Sequence, residues 1–288
     1  MTAKVRHFAV TGDPVAHSKS PVMHAAAYRV LGMPHTYEAV RATVAELPAL
    51  VQRLRDGTLD GLNVTVPHKR HVLDLVDDIA PSAAAVGAAN TLVRTEAGKI
   101  TAHNTDVPAL AEEIAQLAKD RAAWSSSRAL VLGRGGAARS ALVALIAHLG
   151  FRRVTVRARS PVDDALRSAF ERAHPEAEIT YELLVPSKEN ERDVAVIVQA
   201  TSAGMTGADP GDTVAAAVAW DALPPAAVAL DVVYAPAETP FLRASAARGL
   251  PHANGLGMLA RQGALAFQLW LGVPAPYEAM FDAIRVAR

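Results

Sequence analysis

The run Gly61-Leu-Asn-Val-Thr-Val-Pro-His-Lys69, followed by Asn104-Thr-Asp106, offers one amine and one carboxylate within what reads as a single lobe. A lysine and an aspartate brought together can move a proton on a sugar-like hydroxyl, which makes Lys69 and Asp106 the candidate catalytic pair. Lys69 is expected in the first turn of a helix after Pro67, where the dipole disfavours a cation and a decorative lysine is out of place. Asp106 stands directly before a helix start at Val107-Pro108, where an ordinary capping role is the alternative. Ser18 and Ser20, two apart and at the entrance of a helix opened by Pro21, can both donate hydroxyl hydrogens to an anion such as a substrate carboxylate. Ser20 can equally be a plain helix cap. Asn63 and Thr65 alternate with Leu62, Val64 and Val66, so they share one strand face and can line a cleft. Asn90, with Thr91, ends an alanine-rich run and adds an amide that can face a hydroxyl.

A second chemical signal is Gly133-Arg134-Gly135-Gly136-Ala137-Ala138, which follows the apolar run Leu130–Leu132 and precedes an Ala/Leu-rich helical stretch. This fits the G-x-G-x-x-G/A turn whose glycines let a pyrophosphate approach a helix N-terminus. After the next strand, Val154–Val156, an acidic residue would bind the ribose 2′-hydroxyl of NAD, but the sequence reads Arg157-Ala-Arg159-Ser160. Two guanidinium groups suit a 2′-phosphate, so NADP is the expected cofactor. Asp163 and Asp164 do not restore an NAD site, because Ser160-Pro161 reads as a helix cap and first turn with acids behind it.

The elements that must position these groups alternate. Strand-like runs at Phe8–Val10, Leu62–Val66, Leu130–Leu132, Val154–Val156, Val194–Val198 and Val228–Val233 are separated by helical stretches, the pattern of a parallel α/β protein. Met23, Ala26, Ala27 and Val30 recur at helical spacing behind Pro21, with Gly32 just past the end. Glu96-Ala-Gly-Lys99 reads as a hairpin turn, Ala109–Ala118 as a helix leaving the first lobe, and Trp124-Ser-Ser-Ser127 as a linker. The segments Leu256–Leu271 and Glu278–Val286 read as helices with no strand after them. At 288 residues two lobes are the default. Lys+Arg and Asp+Glu both number 29, and this net charge of zero argues against a nucleic-acid or electrostatic membrane binder and for a small-molecule partner. No stretch of about 18 apolar residues suggests a membrane span, and the chain is expected to be soluble and cytoplasmic. The absence of cysteine excludes disulfides, thiolate metal sites and a cysteine nucleophile. His68-Lys-Arg-His71 lacks the spacing of a metal hydrolase, so no metal is expected.

Taken in order, eight blocks resemble the shikimate dehydrogenase family over nearly the whole chain: Gly12–Pro21, Asn63–Lys69, Gly87–Thr91, Asn104–Asp106, Gly133–Ala137, Ala200–Met205, Asp231–Pro236 and Gly257–Gln262. The resemblance implies an α/β protein with an N-terminal substrate-binding domain, residues 1–108, and a Rossmann-like NADP-binding domain, residues 109–255. Helices of residues 256–288 would return to the substrate domain. It implies NADPH-dependent reduction of 3-dehydroshikimate to shikimate, within aromatic amino-acid biosynthesis. Lys69 and Asp106 would be the catalytic pair. Ser18 and Ser20 would hold the substrate carboxylate, and Asn63, Thr65, Asn90, Tyr234 and Gln262 would surround the ring and its hydroxyls. Cofactor contacts would come from Gly133, Arg134, Gly135, Gly136, Ala137, Arg157, Arg159, Ser160, Thr201, Met205 and Gly255. The chain departs from the family pattern with Ala25 for a polar residue, Val107-Pro108 for a glycine-rich continuation, Arg134 for a small residue and Ala158 for an asparagine. Arg134 and Arg157 are expected to compensate for the last of these by contacting phosphate. Two rivals stand beside this reading, an NAD-using quinate/shikimate dehydrogenase and a non-catalytic NADP-binding sensor. Oligomeric state is left open, with a homodimer among the options.

Overall fold

The computed structural model of the chain describes residues 4–162, 164–185 and 191–286. Two compact units emerge, one of residues 1–106 with 259–288 and one of residues 107–258. The fold is α/β throughout.

The first unit runs β1 (His7–Gly12), α1 (Ser20–Val30), β2 (Thr36–Arg41), α2 (Leu47–Arg55), β3 (Gly61–Val64), β4 (Asp78–Ile79), α3 (Pro81–Val86), β5 (Thr91–Arg94) and β6 (Ile100–His103). Its six strands lie in the order β2-β1-β3-β5-β6-β4. The β1, β2 and β3 pairings are parallel, whereas β3-β5 and β5-β6 are antiparallel, the latter closed by the expected hairpin with Gly98 at φ 79°. On one face α2 buries Leu47, Leu50, Val51 and Leu54, a stripe at i, i+3, i+4 and i+7, against Ala9, Leu62, Val64 and Leu92. On the other, α1 supplies Met23, His24, Ala27 and Tyr28 to an aromatic layer. Val30, expected on that buried stripe, is 60% exposed, because the helix is closing there and the chain turns through Gly32 at φ 62°.

The second unit carries α4 (Asp106–Leu117, whose first residue belongs to the first unit), β7 (Arg128–Leu132), α5 (Gly136–Val143), β8 (Arg153–Ala158), α6 (Asp164–Ala173), β9 (Glu178–Leu183), β10 (Val194–Gln199), α7 (Asp212–Ala216), β11 (Val228–Asp231), α8 (Pro240–Ala247) and β12 (His252–Ala253). Its sheet has the order β12-β11-β10-β7-β8-β9 with every pairing parallel. Read from the other edge this is the doubly wound order 3-2-1-4-5-6, whose switch point falls between the first and fourth strands, here β7 and β10. Two long helices close the chain, α9 (Leu256–Leu271) and α10 (Tyr277–Val286).

Each apolar run contains a strand, but three local expectations are corrected. Lys69 lies in a turn that leads into a 3-10 helix at His71–Leu75, so no α-helix dipole acts on it. Ser160-Pro161 does not start a helix; α6 begins at Asp164. Trp124-Ser-Ser-Ser127 is not a linker, since Trp124 is buried against Phe151 with ring centroids 5.3 Å apart and Ser127 is bonded back to Ala123.

Gly61 marks a close approach. The Trp270 indole crosses β3, donates from Nε1 to the Leu92 carbonyl at 2.9 Å and stacks on Phe8 at 4.9 Å. A Cβ on Gly61 would lie 2.6 Å from its Cδ1. Gly61→Ala is therefore expected to cost about 1–3 kcal/mol through overpacking, read as a lower denaturant midpoint at unchanged slope.

His24 sits in the same layer, fully buried, with neither ring nitrogen hydrogen-bonded among the described residues. Burial pushes its pKa down to about 3, because the charged imidazolium loses its water. The unfolded chain then binds the proton more readily, so this contribution is complete above about pH 6.5 and is lost as pH falls toward 3. At about 1.4 kcal/mol per pH unit it amounts to at most about 5 kcal/mol. His24→Phe keeps a ring and removes the titration, so its stability between pH 7 and pH 4 should decline less steeply than that of the wild type.

Candidate active site

The amine and the carboxylate meet. Lys69 Nζ lies 2.7 Å from Asp106 Oδ2, with the two side chains 21% and 6% exposed. Neither residue is placed by a regular element alone. Lys69 sits in the turn after β3, anchored by its carbonyl, which accepts from Ala89 N at 2.8 Å. Asp106 opens α4, and its own backbone N–H is taken by Asn104 Oδ1 at 3.0 Å, so Asn104 supplies the turn-forming side chain and Asp106 is freed from capping.

Asn90 holds the carboxylate from behind. Its Nδ2 donates to Asp106 Oδ1 at 2.8 Å and to Thr105 Oγ1 at 2.9 Å, with Gln262 Oε1 at 3.4 Å. Its Oδ1 accepts from the Thr105 N–H at 2.8 Å, which fixes the amide orientation. Asn63, on β3, donates through Nδ2 to the Asn90 carbonyl and to Thr91 Oγ1, both at 3.0 Å. Six of the residues singled out in the sequence, Asn63, Lys69, Asn90, Thr91, Asp106 and Gln262, are thus joined in one hydrogen-bonded group. Ser20 is the first residue of α1 and caps nothing with its side chain, so the cap alternative does not hold; its backbone N–H points to Ser18 Oγ at 3.3 Å. Thr65 is half-buried just past the end of β3.

Nothing in the pattern of residues pointed to Tyr37. It lies on β2, where its phenol donates to Asn63 Oδ1 at 2.7 Å. The missing signal was the strand itself, an exposed edge with no apolar run. Thr105 was present only as a letter within Asn104-Thr-Asp106.

In the second unit the turn after β7 has the shape a pyrophosphate needs. Gly133 adopts φ 124°, and a Cβ there would lie 2.9 Å from the Ala200 carbonyl. Gly135 precedes α5 without a side-chain cap, and a Cβ on it would meet nothing within 4 Å. The helix N-terminus at Gly136 and Ala137 is therefore open to an anion. Arg134 is exposed and donates to the Pro161 carbonyl at 2.9 Å, while Arg159, also exposed, pairs with Asp209 at 3.3 Å. Ser160 is half-buried beside them in sequence. Thr201 orders the turn after β10 by accepting from Ala203 N at 3.0 Å, and Met205 is 40% exposed in the same loop. Gly255 packs so closely on the Val232 carbonyl that no side chain fits. Near it Asp231, at the end of β11, accepts from Thr239, Val233 and Gln199, and burial still pushes its pKa up to about 6. Tyr234 is half-buried, and loss of water raises its phenol pKa.

Arg157 is a correction. Only 2% exposed, it pairs through Nε with Glu182 at 2.8 Å and through Nη1 with Glu191 at 2.5 Å, and also reaches the Ala217 carbonyl. Its guanidinium closes the interior between strands and cannot also present a face to a cofactor phosphate. Arg134, Arg159 and Ser160 are left as the groups that fit a 2′-phosphate.

A doubly wound sheet with an open glycine turn, together with a unit that pairs a lysine with a carboxylate, defines the class of nicotinamide-dependent dehydrogenases. Residues 10–92 match the family described as shikimate dehydrogenase substrate binding domain, and residues 255–285 match the shikimate 5′-dehydrogenase C-terminal domain. The shikimate dehydrogenase (NADP(+)) of Citrifermentans bemidjiense is 37% identical over 291 residues, covering 99% of this chain and 96% of that protein. The shikimate 5-dehydrogenase of Thermus thermophilus, solved with NADP(H) and shikimate, superposes with a TM-score of 0.81 at 35% identity over 97% of this chain and 98% of that one. A 5-ketofructose reductase from Gluconobacter gives a TM-score of 0.84 at 27% identity over 98% and 99%. The chain belongs to the shikimate dehydrogenase family.

Arg157→Ala removes the guanidinium that balances the fully buried Glu191 carboxylate and should cost about 3–5 kcal/mol in chemical denaturation. The preference for NADP over NAD should survive in the folded fraction. A lost preference at unchanged stability would return Arg157 to the cofactor site.

Proposed function

We propose that this chain is an NADP-dependent shikimate dehydrogenase, reducing 3-dehydroshikimate to shikimate reversibly for aromatic amino-acid biosynthesis. The observation that carries the reading is the ion pair between Lys69 and Asp106, held by Asn90. Family membership supports it, as does a relative that was solved with shikimate and NADP(H).

Residues 1–108 with 256–288 form the substrate-binding domain in this reading, and residues 109–255 bind NADP through Gly133–Ala137, Arg134, Arg159, Ser160, Thr201, Met205 and Gly255. Bound NADPH supplies a hydride to the carbonyl carbon. Negative charge grows on the carbonyl oxygen, and Lys69 Nζ stabilises it and delivers a proton there. Asp106 aims the amine and, once the oxygen has become a hydroxyl, accepts its hydrogen bond; in the reverse direction the pair accepts the hydroxyl proton. Ser18 and Ser20 hold the substrate carboxylate by hydroxyl donors. Asn63, Thr65, Gln262 and Tyr234 are the groups this reading gives to the ring and its hydroxyls. Asn90 has both amide hydrogens engaged, so its part is to fix Asp106. The partner is a small molecule, and the balanced charge supports no nucleic-acid role. No helix among the described residues is long and apolar enough to cross a membrane. A cytoplasmic enzyme, as a single chain or a homodimer, completes the proposal.

The test follows reduced nicotinamide by absorbance with shikimate or quinate, each with NADP or NAD. Rapid turnover with shikimate and NADP alone is expected; equal rates with quinate and NAD would mark a catabolic enzyme instead. Lys69→Ala should lower kcat by about 10²–10⁴-fold, the usual worth of a positioned proton donor. A loss below about tenfold would remove Lys69 from that role.

A further inference from the structure

Tyr37 stands at the site and has no part in the proposed mechanism. Its phenol donates to Asn63 Oδ1 at 2.7 Å. Its ring lies flat on the His24 imidazole, with centroids 4.1 Å apart and planes 4° from parallel. The one O–H is therefore committed to a residue assigned to the ring hydroxyls of the substrate.

Asn63 has little freedom left. Both of its amide hydrogens are engaged, one on the Asn90 carbonyl and one on Thr91 Oγ1. Its carbonyl oxygen has two lone pairs, and Tyr37 occupies one of them. What Asn63 can still offer is a single acceptor position, which suits a hydroxyl group and rejects an acceptor such as a keto oxygen. Removing the Tyr37 donor leaves Asn63 Oδ1, on a residue only 5% exposed, with no partner in the free protein.

We propose that Tyr37 is a positioning residue for substrate recognition: by holding Asn63 as an acceptor for one substrate hydroxyl, it sets KM while leaving the proton-transfer step to Lys69 and Asp106. The inference rests on the function proposed above. Burial supports it, because desolvation raises the Tyr37 pKa well above that of a free phenol and the group stays a donor throughout the working pH range. The His24 stack supports it as well, since that contact fixes the ring without using the hydroxyl.

The experiment compares wild type with Tyr37→Phe in steady-state kinetics and in calorimetric shikimate binding. Tyr37→Phe keeps the ring stack, and is expected to raise both KM and Kd for shikimate about tenfold, because Asn63 Oδ1 is no longer held toward the substrate hydroxyl and a buried hydrogen bond to the substrate is weakened. Its kcat should stay within about twofold, and its KM for NADP should not change. Two further variants guard against a folding effect: para-methylphenylalanine at position 37 fills the volume of the hydroxyl without a donor, and para-aminophenylalanine restores a donor. KM should remain high in the first and recover in the second. A KM within about twofold of wild type in the variants lacking a donor overturns the proposal, as does a fall in kcat at constant KM. Wild-type protein that neither turns over nor binds shikimate would instead overturn the proposed function, and this inference with it.

Discussion

The side-chain amide of Asn90 is the constraint on which the catalytic group depends. It stands where β5 begins, 3% exposed, and every polar atom of the residue is engaged. Its backbone N–H reaches the His103 carbonyl, and its carbonyl accepts from Val64 N and from Asn63 Nδ2. Its side chain gathers Thr91, Thr105 and Asp106. Three chain segments far apart in sequence are thereby fixed to one group: the end of β3, the start of β5 and the turn that opens α4. An amide can do this where a carboxylate or an apolar residue cannot, because it has donors and acceptors on opposite ends in one rigid plane. Once Asp106 is fixed, Lys69 has a partner at a defined point, and the desolvation that would otherwise oppose a partly buried amine is offset by the ion pair and its hydrogen bond.

The second unit uses cations in two ways that the sequence does not distinguish. Arg157 and Arg159 are two residues apart on β8 and just after it, so both face the same way by strand alternation. The register of β8 against β9 brings Arg157 level with Glu182, and Glu191 closes on it from the segment before β10. That places Arg157 inside the protein as part of a charge triad, while Arg159, beyond the strand, stays at the surface. Nothing local to the Arg-Ala-Arg run forecasts this, because the deciding partners lie 25 and 34 residues further along. An exposed arginine has no buried carboxylate to abandon when it meets a phosphate, which is why the proposed cofactor site uses Arg134 and Arg159 and not Arg157.

This difference also describes what was legible in the sequence. Elements with a buried face were readable: the apolar runs of β1, β7, β8, β10 and β11, the glycine turn after β7, the hairpin between β5 and β6, and the helices α1 and α4 at Pro21 and Pro108. Edge strands were not, because β2 and β9 are largely exposed and carry no continuous apolar run, and with β2 went Tyr37. The catalytic residues were visible as types at a spacing. Their mutual distances were not, since Lys69 and Asp106 come from irregular segments whose geometry is set by Asn104, Asn90 and the Ala89 N–H and not by local propensity. The expected helix at Lys69 failed for the same reason: Pro67 opens a turn that tertiary hydrogen bonds complete, and only a 3-10 segment follows.

A lysine, an aspartate and the asparagine behind them form a proton device with no preference for any particular carbonyl compound. The chemistry they can do applies to any ketone beside a hydride donor, and a 5-ketofructose reductase shares this fold over nearly its whole length. Discrimination must then come from groups that make hydrogen bonds the wrong substrate cannot complete. Such groups act strongly only when they are buried and held to one role, because an unpaired polar atom out of water costs more than a paired one gains. Asn63 meets that condition, with three of its four hydrogen-bonding positions already taken inside the protein. The residues proposed for recognition and those proposed for proton transfer thus share one network through the Asn90 carbonyl and amide. The proposal for Tyr37 makes them separable: on it, the β2 side decides which molecule binds and the α4 side how fast it reacts.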